Sequence, residues 1–460
     1  MSQLSAHEAS FLYADQAHAN ANVTYVQIYD QGTVPGGTLR FKTILAHIES
    51  RLHRSPVFLS KLMQVPLGLD EPYWVEDELF DLEHHVRHIA LPKPGDWRQF
   101  CIQASRIHAR ALDPQRPLWE IYVVEGLDRF NDLPPGSFAL LTKIHHAAID
   151  VESRNAFVEV LHDTTRRPPR PPPPEPWFAE RAPGLLWLLG RAALHTLCSP
   201  RRLLAPLQRA APTATAFLRD LLQAEPIPAA TRFNAVVTPH RVFDMRRLRC
   251  DEVERIRALV PGATVTEVVL AVCAGGLRRY LQGHAELPQA DLSAIVPADR
   301  AAEGGSGAAA RRIGLGTNLN DPLQRLSRIH GQLAATPDEA GLLPPACTIT
   351  ELPAPAQPVY LHGARLTCLS AMLPIADGMG LVFAVTAYDG RIVVSPTSCR
   401  ELMPDPQTFA QALRDSYLEL LARTEHEVPA RRLPRRRRQQ PVDPARQPGG
   451  LEAPPDPFGL

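Results

Sequence analysis

A chain of 460 residues, 45% of them hydrophobic, is long enough for two or three domains with sizeable cores. Its 49 Lys+Arg against 49 Asp+Glu give no global positive field of the kind that draws nucleic acid. The seven cysteines are odd in number, widely spaced and free of any Cys-x-x-Cys, which fits free thiols in a reducing compartment and offers no metal framework. The opening Met1-Ser2-Gln3-Leu4 lacks a basic region followed by an apolar one, and no apolar run approaches the roughly 18 residues that span a bilayer. Cytoplasmic residence is the expectation. Lys42, Lys61, Lys93 and Lys143 are the only lysines, so arginine carries nearly all positive charge, which reads as base composition rather than function.

Residues 1–165 read as a first half. Asn22 to Ile28 has a strand pattern, with Val23, Tyr25 and Gln27 on one side. Thr38 to Arg54 has helical spacing through Phe41, Ile44, Leu45, Ile48 and Leu52 and closes on basic residues. Trp97 to Leu112 is a second helix, stopped by Asp113-Pro114, and Leu118 to Glu125 a strand. His84, His85 and His88 cluster between them. On a helix, His84 and His88 would make half a metal site, but no further ligand completes it and the structural reading is preferred.

The stretch with the most chemistry is Phe138 to Asp150. Pro134, Pro135 and Gly136 precede an apolar run, Phe138 to Ile144, with the length of a buried strand. That strand delivers His145 and His146 at its end, where a rigid scaffold presents a side chain to a cleft. Imidazole is the usual general base near neutral pH, which suits His146. Asp150 then orients the loop or the imidazole, before a helical pattern at Phe157, Val160 and Leu161. A core histidine beside an N-cap aspartate accounts for the same residues equally well.

Residues 166–230 form a linker. Arg166 to Pro176 is proline-dense and cannot continue a helix. Gly184 to Cys198 is a short apolar helix with a tryptophan, followed by Arg201 and Arg202; it suits either a water–lipid interface or a crossover packed on the protein. Thr215 to Gln223 is a further helix. The second half, 231–428, opens with a strand at His240 to Asp244 and a helix at Asp251 to Val260. A long apolar helix, Thr264 to Leu281, and a strand at Ile295 follow. A Gly/Ala-rich stretch, Ala301 to Leu319, leaves a strand there shortened or lost. Ala387-Tyr388-Asp389-Gly390 is a hairpin turn, and Asp405 to Leu421 a closing helix. The tail 429–460, with Arg431 to Arg438, reads as disordered, its arginines solvated or docked on anionic lipid or nucleic acid, of which lipid fits the rest of the chain better.

His145-His146-x-x-x-Asp150 resembles the active-site motif of acyl-CoA-dependent acyltransferases, a group with chloramphenicol acetyltransferase and peptide-synthetase condensation domains. Leu112 to Glu120, Leu4 to Phe11, Trp74-Val75, Phe80-Asp81-Leu82 and His85-Val86-Arg87 resemble the bacterial wax ester synthase/diacylglycerol acyltransferases, a likeness that runs almost to residue 425. Val359 to Arg365 and Pro374 to Leu381 belong to it too. The chain departs from that pattern with Val151 in place of Gly and Thr266-Glu267 in place of Asn-Asp. It departs again in the altered 301–319 and 347–355 segments.

The resemblance implies an α/β fold of two chloramphenicol acetyltransferase-like sandwich halves, joined by the Pro-rich helical crossover, with an active-site tunnel between them. It implies acyl-CoA as substrate, no other cofactor and no metal, and diacylglycerol or a long-chain alcohol as acceptor. His146 would be the base, His145 a supporting residue and Asp150 a structural partner. No covalent acyl-enzyme is needed, and no Gly-x-Ser-x-Gly elbow is present. Peripheral association with the inner membrane or lipid droplets, and no nucleic-acid partner, complete the expectation. A non-catalytic lipid-binding member, and condensation-type transfer to another nucleophile, are the rival readings.

Overall fold

The computed structural model describes residues 1–127, 133–149, 156–167, 180, 182–198, 231–297, 310–335 and 343–426. The expected Pro-rich segment (Arg166 to Pro176) from residue 168 onward, the helix at 215–223 and the tail from 429 lie outside these residues, as do Asp150 and Val151.

In chain order the first half comprises β1 (Ser2–Gln3), α1 (Ala6–Ala14), β2 (Asn22–Asp30), α2 (Phe41–Glu49), β3 (Ser60–Met63) and β4 (Tyr73–Glu76). It continues with α3 (Leu82–His85), β5 (Val86–Ala90), α4 (Trp97–Ala109), β6 (Trp119–Glu125), β7 (Phe138–His145) and α5 (Ala156–Leu161). After α6 (Leu185–Cys198) come β8 (Arg241–Phe243), β9 (Arg246–Arg249), α7 (Cys250–Arg257), α8 (Val265–Gly283), β10 (Ser293–Pro297) and β11 (Ala310–Gly314). The chain then runs through α9 (Pro322–Ala334), β12 (Pro345–Leu352), β13 (Tyr360–Leu361), β14 (Ala364–Met372), β15 (Val382–Tyr388), β16 (Arg391–Cys399) and α10 (Pro406–His426).

Two large sheets organise these elements. One has the order β13-β14-β2-β7-β6-β5, the other β11-β10-β12-β15-β16-β8 with β9 also on β16. The sequence boundary at 231 does not separate them. β14 pairs antiparallel with β2, from Arg365 opposite Asp30 to Met372 opposite Thr24, so a strand from the second half completes the first sheet. β7 therefore sits in the middle of its sheet, between β2 and β6, and all eight of its residues are buried, Lys143 included. β2 is buried on both faces as well, so the one-sided alternation expected for it is absent.

Local chemistry sets the other elements. The helix expected over 38–54 stops at Glu49, where the Ser50 hydroxyl bonds the His47 carbonyl, and resumes as a 3-10 turn at Leu52–Arg54. The strand in the Gly/Ala-rich segment is shortened rather than lost, surviving as β11 on the edge of the second sheet. Asp389 and Gly390 both have positive φ, 49° and 73°, as the two-residue turn joining β15 to β16 requires. Gly276 lets α8 press on α10: a Cβ there would meet Leu413 Cδ2 at 2.5 Å.

Candidate active site

β7 ends where the histidine pair begins, and the backbone is held on both sides. His145 N–H donates to Leu118 O at 3.0 Å, and His146 N–H donates to Ala21 O at 2.8 Å. A 3-10 turn at His146–Ala148 follows. The Pro117-Leu118-Trp119-Glu120 segment is thus one flank of the turn. Trp119 is fully buried; its indole N–H bonds Phe58 O at 3.0 Å and its ring stacks on His85 at 4.5 Å. Glu120 lies 3.9 Å from Lys143, whose amine also bonds Arg110 O. Burial, against the attraction of Glu120, brings the Lys143 pKa down to about 8.

The two histidines have different surroundings. His145 is buried, and both ring nitrogens are engaged: Nδ1 accepts from Ala147 N–H at 3.1 Å, and Nε2 faces Asp15 Oδ2 at 3.0 Å. An Nδ1 that accepts an N–H places the proton on Nε2, where Asp15 accepts it. His145 therefore closes the turn and has no nitrogen left for a substrate. His146 is half-buried, and its ring lies flat against Phe11, with centroids 4.0 Å apart at 20°.

The Leu4 to Phe11 segment supplies this wall. Ser5 and Glu8 form a reciprocal capping box that starts α1, and Leu4 and Ala9 are buried beneath it. Phe11 meets His146 from this helix, and His7 packs edge-on to Phe11 at 5.1 Å. Asp15, just past α1, also accepts from Ala21 N–H at 2.7 Å, which fixes the lead into β2. The second half grips the same lead: Arg241 donates to His18 O at 2.8 Å, and His18 faces Asp377 at 3.2 Å. Asp377 comes from the Pro374 to Leu381 segment and also accepts from Val237 N–H.

Asp15 and Phe11 were missed as site residues by sequence reasoning, although both lie in or beside a segment it singled out. The structure brings His145 and His146 together at one strand end; Asp150 lies outside the described residues. His84 belongs to α3 and His88 to β5, so they share no helix face. His85 is buried, with Nδ1 at 2.7 Å from Trp119 O, and the cluster is structural. Thr266 and Glu267, at the departure from the Asn-Asp pair, are occupied structurally. Glu267 completes the α8 capping box with Thr264 and pairs with His330 at 2.9 Å, and Thr266 bonds Glu351 at 3.2 Å.

Residues 4–269 match the wax ester synthase/diacylglycerol acyltransferase catalytic domain, and residues 342–421 match the C-terminal domain of the same family. The O-acyltransferase WSD of Acinetobacter baylyi is 29% identical over 419 residues, covering 78% of this chain and 85% of that one. A Mycobacterium tuberculosis protein named for diacylglycerol O-acyltransferase is 28% identical over 466 residues, covering 92% and 90%. The wax ester synthase/diacylglycerol acyltransferase structure from Marinobacter aquaeolei VT8 superposes with a TM-score of 0.68 at 24% identity, over 92% of this chain and 100% of that one. The first condensation domain of the calcium-dependent antibiotic synthetase shares the fold at a TM-score of 0.53 and 16% identity, over 92% and 96%. The chain belongs to the wax ester synthase/diacylglycerol acyltransferase family.

Proposed function

We propose that this acyltransferase moves a long-chain acyl group from acyl-CoA to the hydroxyl of diacylglycerol or a long-chain alcohol, with His146 as general base. The observation that carries the reading is the division of labour in the pair. His145 spends both nitrogens on the turn and Asp15, while His146 stands half-buried at the strand end against Phe11. His146 takes the hydroxyl proton as the oxygen attacks the thioester carbonyl. When the tetrahedral intermediate collapses, the C–S bond breaks and the proton passes from His146 to the CoA sulfur. The ester and free CoA leave with no acyl-enzyme, and no metal or cofactor beyond the acyl-CoA substrate enters the reading. Asp150 acts as a structural partner of the loop rather than a proton carrier.

General-base catalysis is worth about 10²–10⁴-fold. Labelled acyl-CoA with either acceptor should therefore give at least a hundredfold lower turnover for His146→Ala, at unchanged thermal stability. Wild-type turnover in that variant would remove His146 from the mechanism.

Among the described residues no helix is long and apolar enough to cross a membrane. The α6 helix supports peripheral contact with membrane or lipid-droplet surfaces instead. Leu188 and Ala192 seat it on Val65, Tyr73 and Val75, while Leu186, Trp187 and Leu194 face outward. Arg191 lies over the Trp187 ring at 5.2 Å, which puts a cation beside the apolar face where anionic headgroups would sit.

A further inference from the structure

A cleft of about 650 Å³ opens between the two halves, away from the histidine turn. Its apolar wall includes Ile28, Trp97, Leu248 and Leu418. Among the described residues five arginines line it, Arg246, Arg247, Arg249, Arg391 and Arg414, against a single carboxylate, Glu252. Arg246 is partnered by Asp244 at 3.1 Å, and Arg249 by Asp251 at 2.8 Å. Glu252 accepts from the Tyr417 hydroxyl. Among the described residues Arg391 and Arg414 have no ion-pair partner. Cations gathered along a low-dielectric wall focus a positive potential into the cleft, and guanidinium groups match phosphate oxygens in fork geometry.

The position of the cleft bears on what it holds. Ile28 pairs with Ala139 near the start of β7, while Asn22 pairs with His145 at its end, a separation of roughly 20 Å at strand rise. Helix α4 spans the same gap: Trp97 lines the cleft, and His108 bonds Thr24 at the other end, roughly 16 Å away at helical rise. Coenzyme A carries its sulfur at one end of a long pantetheine arm and its diphosphate and 3′-phosphate at the other. A thioester held at His146 must place its phosphates at a comparable remove.

We propose that this cleft is a phosphate-ester site and receives the phosphate-bearing end of the acyl-CoA donor, which rests on the acyl-transfer reading above. Arg391 and Arg414 hold the phosphates, and the apolar wall with Trp97 packs the body of the ligand. A phosphatidate-type lipid presents the same chemistry, so the experiment separates the two sources.

The full chain and the double variant Arg391→Gln/Arg414→Gln are titrated with adenosine 3′,5′-bisphosphate and with soluble dihexanoyl phosphatidate. Both proteins are then assayed with palmitoyl-CoA and with the palmitoyl thioester of N-acetylcysteamine, which lacks the nucleotide. Both arginines are exposed, so the variant should fold, and a thermal melt checks that it does. The expected result is weaker bisphosphate binding and a fall of about tenfold or more in the preference for palmitoyl-CoA over the short thioester. Arg391→Lys/Arg414→Lys should restore part of it. Arginine-dependent binding of phosphatidate, with donor preference unchanged, would keep the phosphate site and make lipid its ligand. Binding of both probes unaltered by the substitutions, or binding of neither to the wild type, would overturn the site. His146→Ala should silence both thioesters without weakening bisphosphate binding, so a failure of the acyl-transfer reading would be seen separately.

Discussion

The Asp15 carboxylate accepts from His145 Nε2 at 3.0 Å while its other oxygen accepts from Ala21 N–H at 2.7 Å, so one side chain ties the first helix, the lead into β2 and the histidine turn together. Asparagine cannot replace it. An amide has one acceptor oxygen, and its NH₂ would face a second donor; the His145 tautomer cannot reverse because Nδ1 is already accepting from Ala147. Asp15→Asn should lower the melting temperature by an amount equivalent to about 1 kcal/mol, the lower end for an unsatisfied group because Asp15 is one-third exposed. It should also reduce kcat roughly tenfold through misplacement of His146. A melting curve and initial rates measure both, and wild-type kcat would show that the turn holds without Asp15.

Phe11 tests the same arrangement from the ring face. Phe11→Leu keeps an apolar surface against His146, whereas Phe11→Ala opens a gap beside the imidazole and lets it rotate. The alanine variant should lose about tenfold in kcat, and the leucine variant only a few-fold. Equal losses would mean that stacking itself, rather than occupied space, orients the ring.

Local signals made most of this legible in the sequence. The apolar run ending in two histidines is β7, and Asp389-Gly390 is the hairpin turn that the dipeptide announces. Non-local choices were hidden. Nothing in the sequence names a partner for Ala364 to Met372, which pairs with β2, more than three hundred residues earlier, because no periodicity encodes a partner. Asp15 was hidden for a related reason. An acidic residue just past a helix reads as a solvated loop residue until His145 is brought beside it by folding. Glu267 was noted only as a departure from the Asn-Asp pair, and the Thr264-x-x-Glu267 capping box accounts for it without reference to catalysis.

Two glycines in helices should respond with opposite sign. At Gly276 a methyl group would meet Leu413 Cδ2 at 2.5 Å and its Cα at 3.0 Å, so α8 and α10 must part. Gly276→Ala should destabilise by about 1–3 kcal/mol despite better helix propensity. Gly331 in α9 is exposed and has nothing among the described residues within 4 Å of the corresponding position, so Gly331→Ala should stabilise by up to about 1 kcal/mol. Chemical denaturation of both variants distinguishes packing from propensity.

Helix α6 offers a test of lipid contact that leaves the fold alone. Leu186 is 85% and Leu194 62% exposed, whereas Leu188 is 4% exposed in the seat against Val65 and Tyr73. Inserting the two outer leucines into lipid is worth about 1.5–3 kcal/mol each at full burial. Leu186→Ser/Leu194→Ser should therefore weaken binding to anionic vesicles at least tenfold in cosedimentation at an unchanged melting temperature. Leu188→Ala should lower the melting temperature instead. Undiminished vesicle binding by the double variant would take α6 out of the lipid-facing surface.

Acid should loosen the fold through buried histidines in the first half, His47, His108 and His162 among them. Burial lowers the pKa of His47 to about 4, of His162 to about 4 and of His108 to about 3, with Arg51 adding to the first two and Arg241 and Lys143 to the last. Each is neutral at pH 7 and engaged: His47 with Leu161 O at 2.9 Å, His162 with the Tyr29 hydroxyl at 2.7 Å, and His108 with Thr24 at 2.9 Å. Above the ordinary histidine pKa of about 6.5 neither the folded nor the unfolded chain takes up these protons, and they impose no pH dependence. Below it the unfolded chain binds protons that the folded chain refuses, so stability falls as pH falls, until the folded values near 4 and 3 are reached. Each histidine contributes a slope of up to about 1.4 kcal/mol per pH unit in that window. Unfolding free energy measured from pH 7.5 to 5 should decline from about pH 6.5 downward. His162→Gln removes one of these contributions, and it should make the decline shallower even if it lowers stability at pH 7.5. A wild-type curve flat across pH 6.5 to 5 would show that these rings accept protons inside the fold.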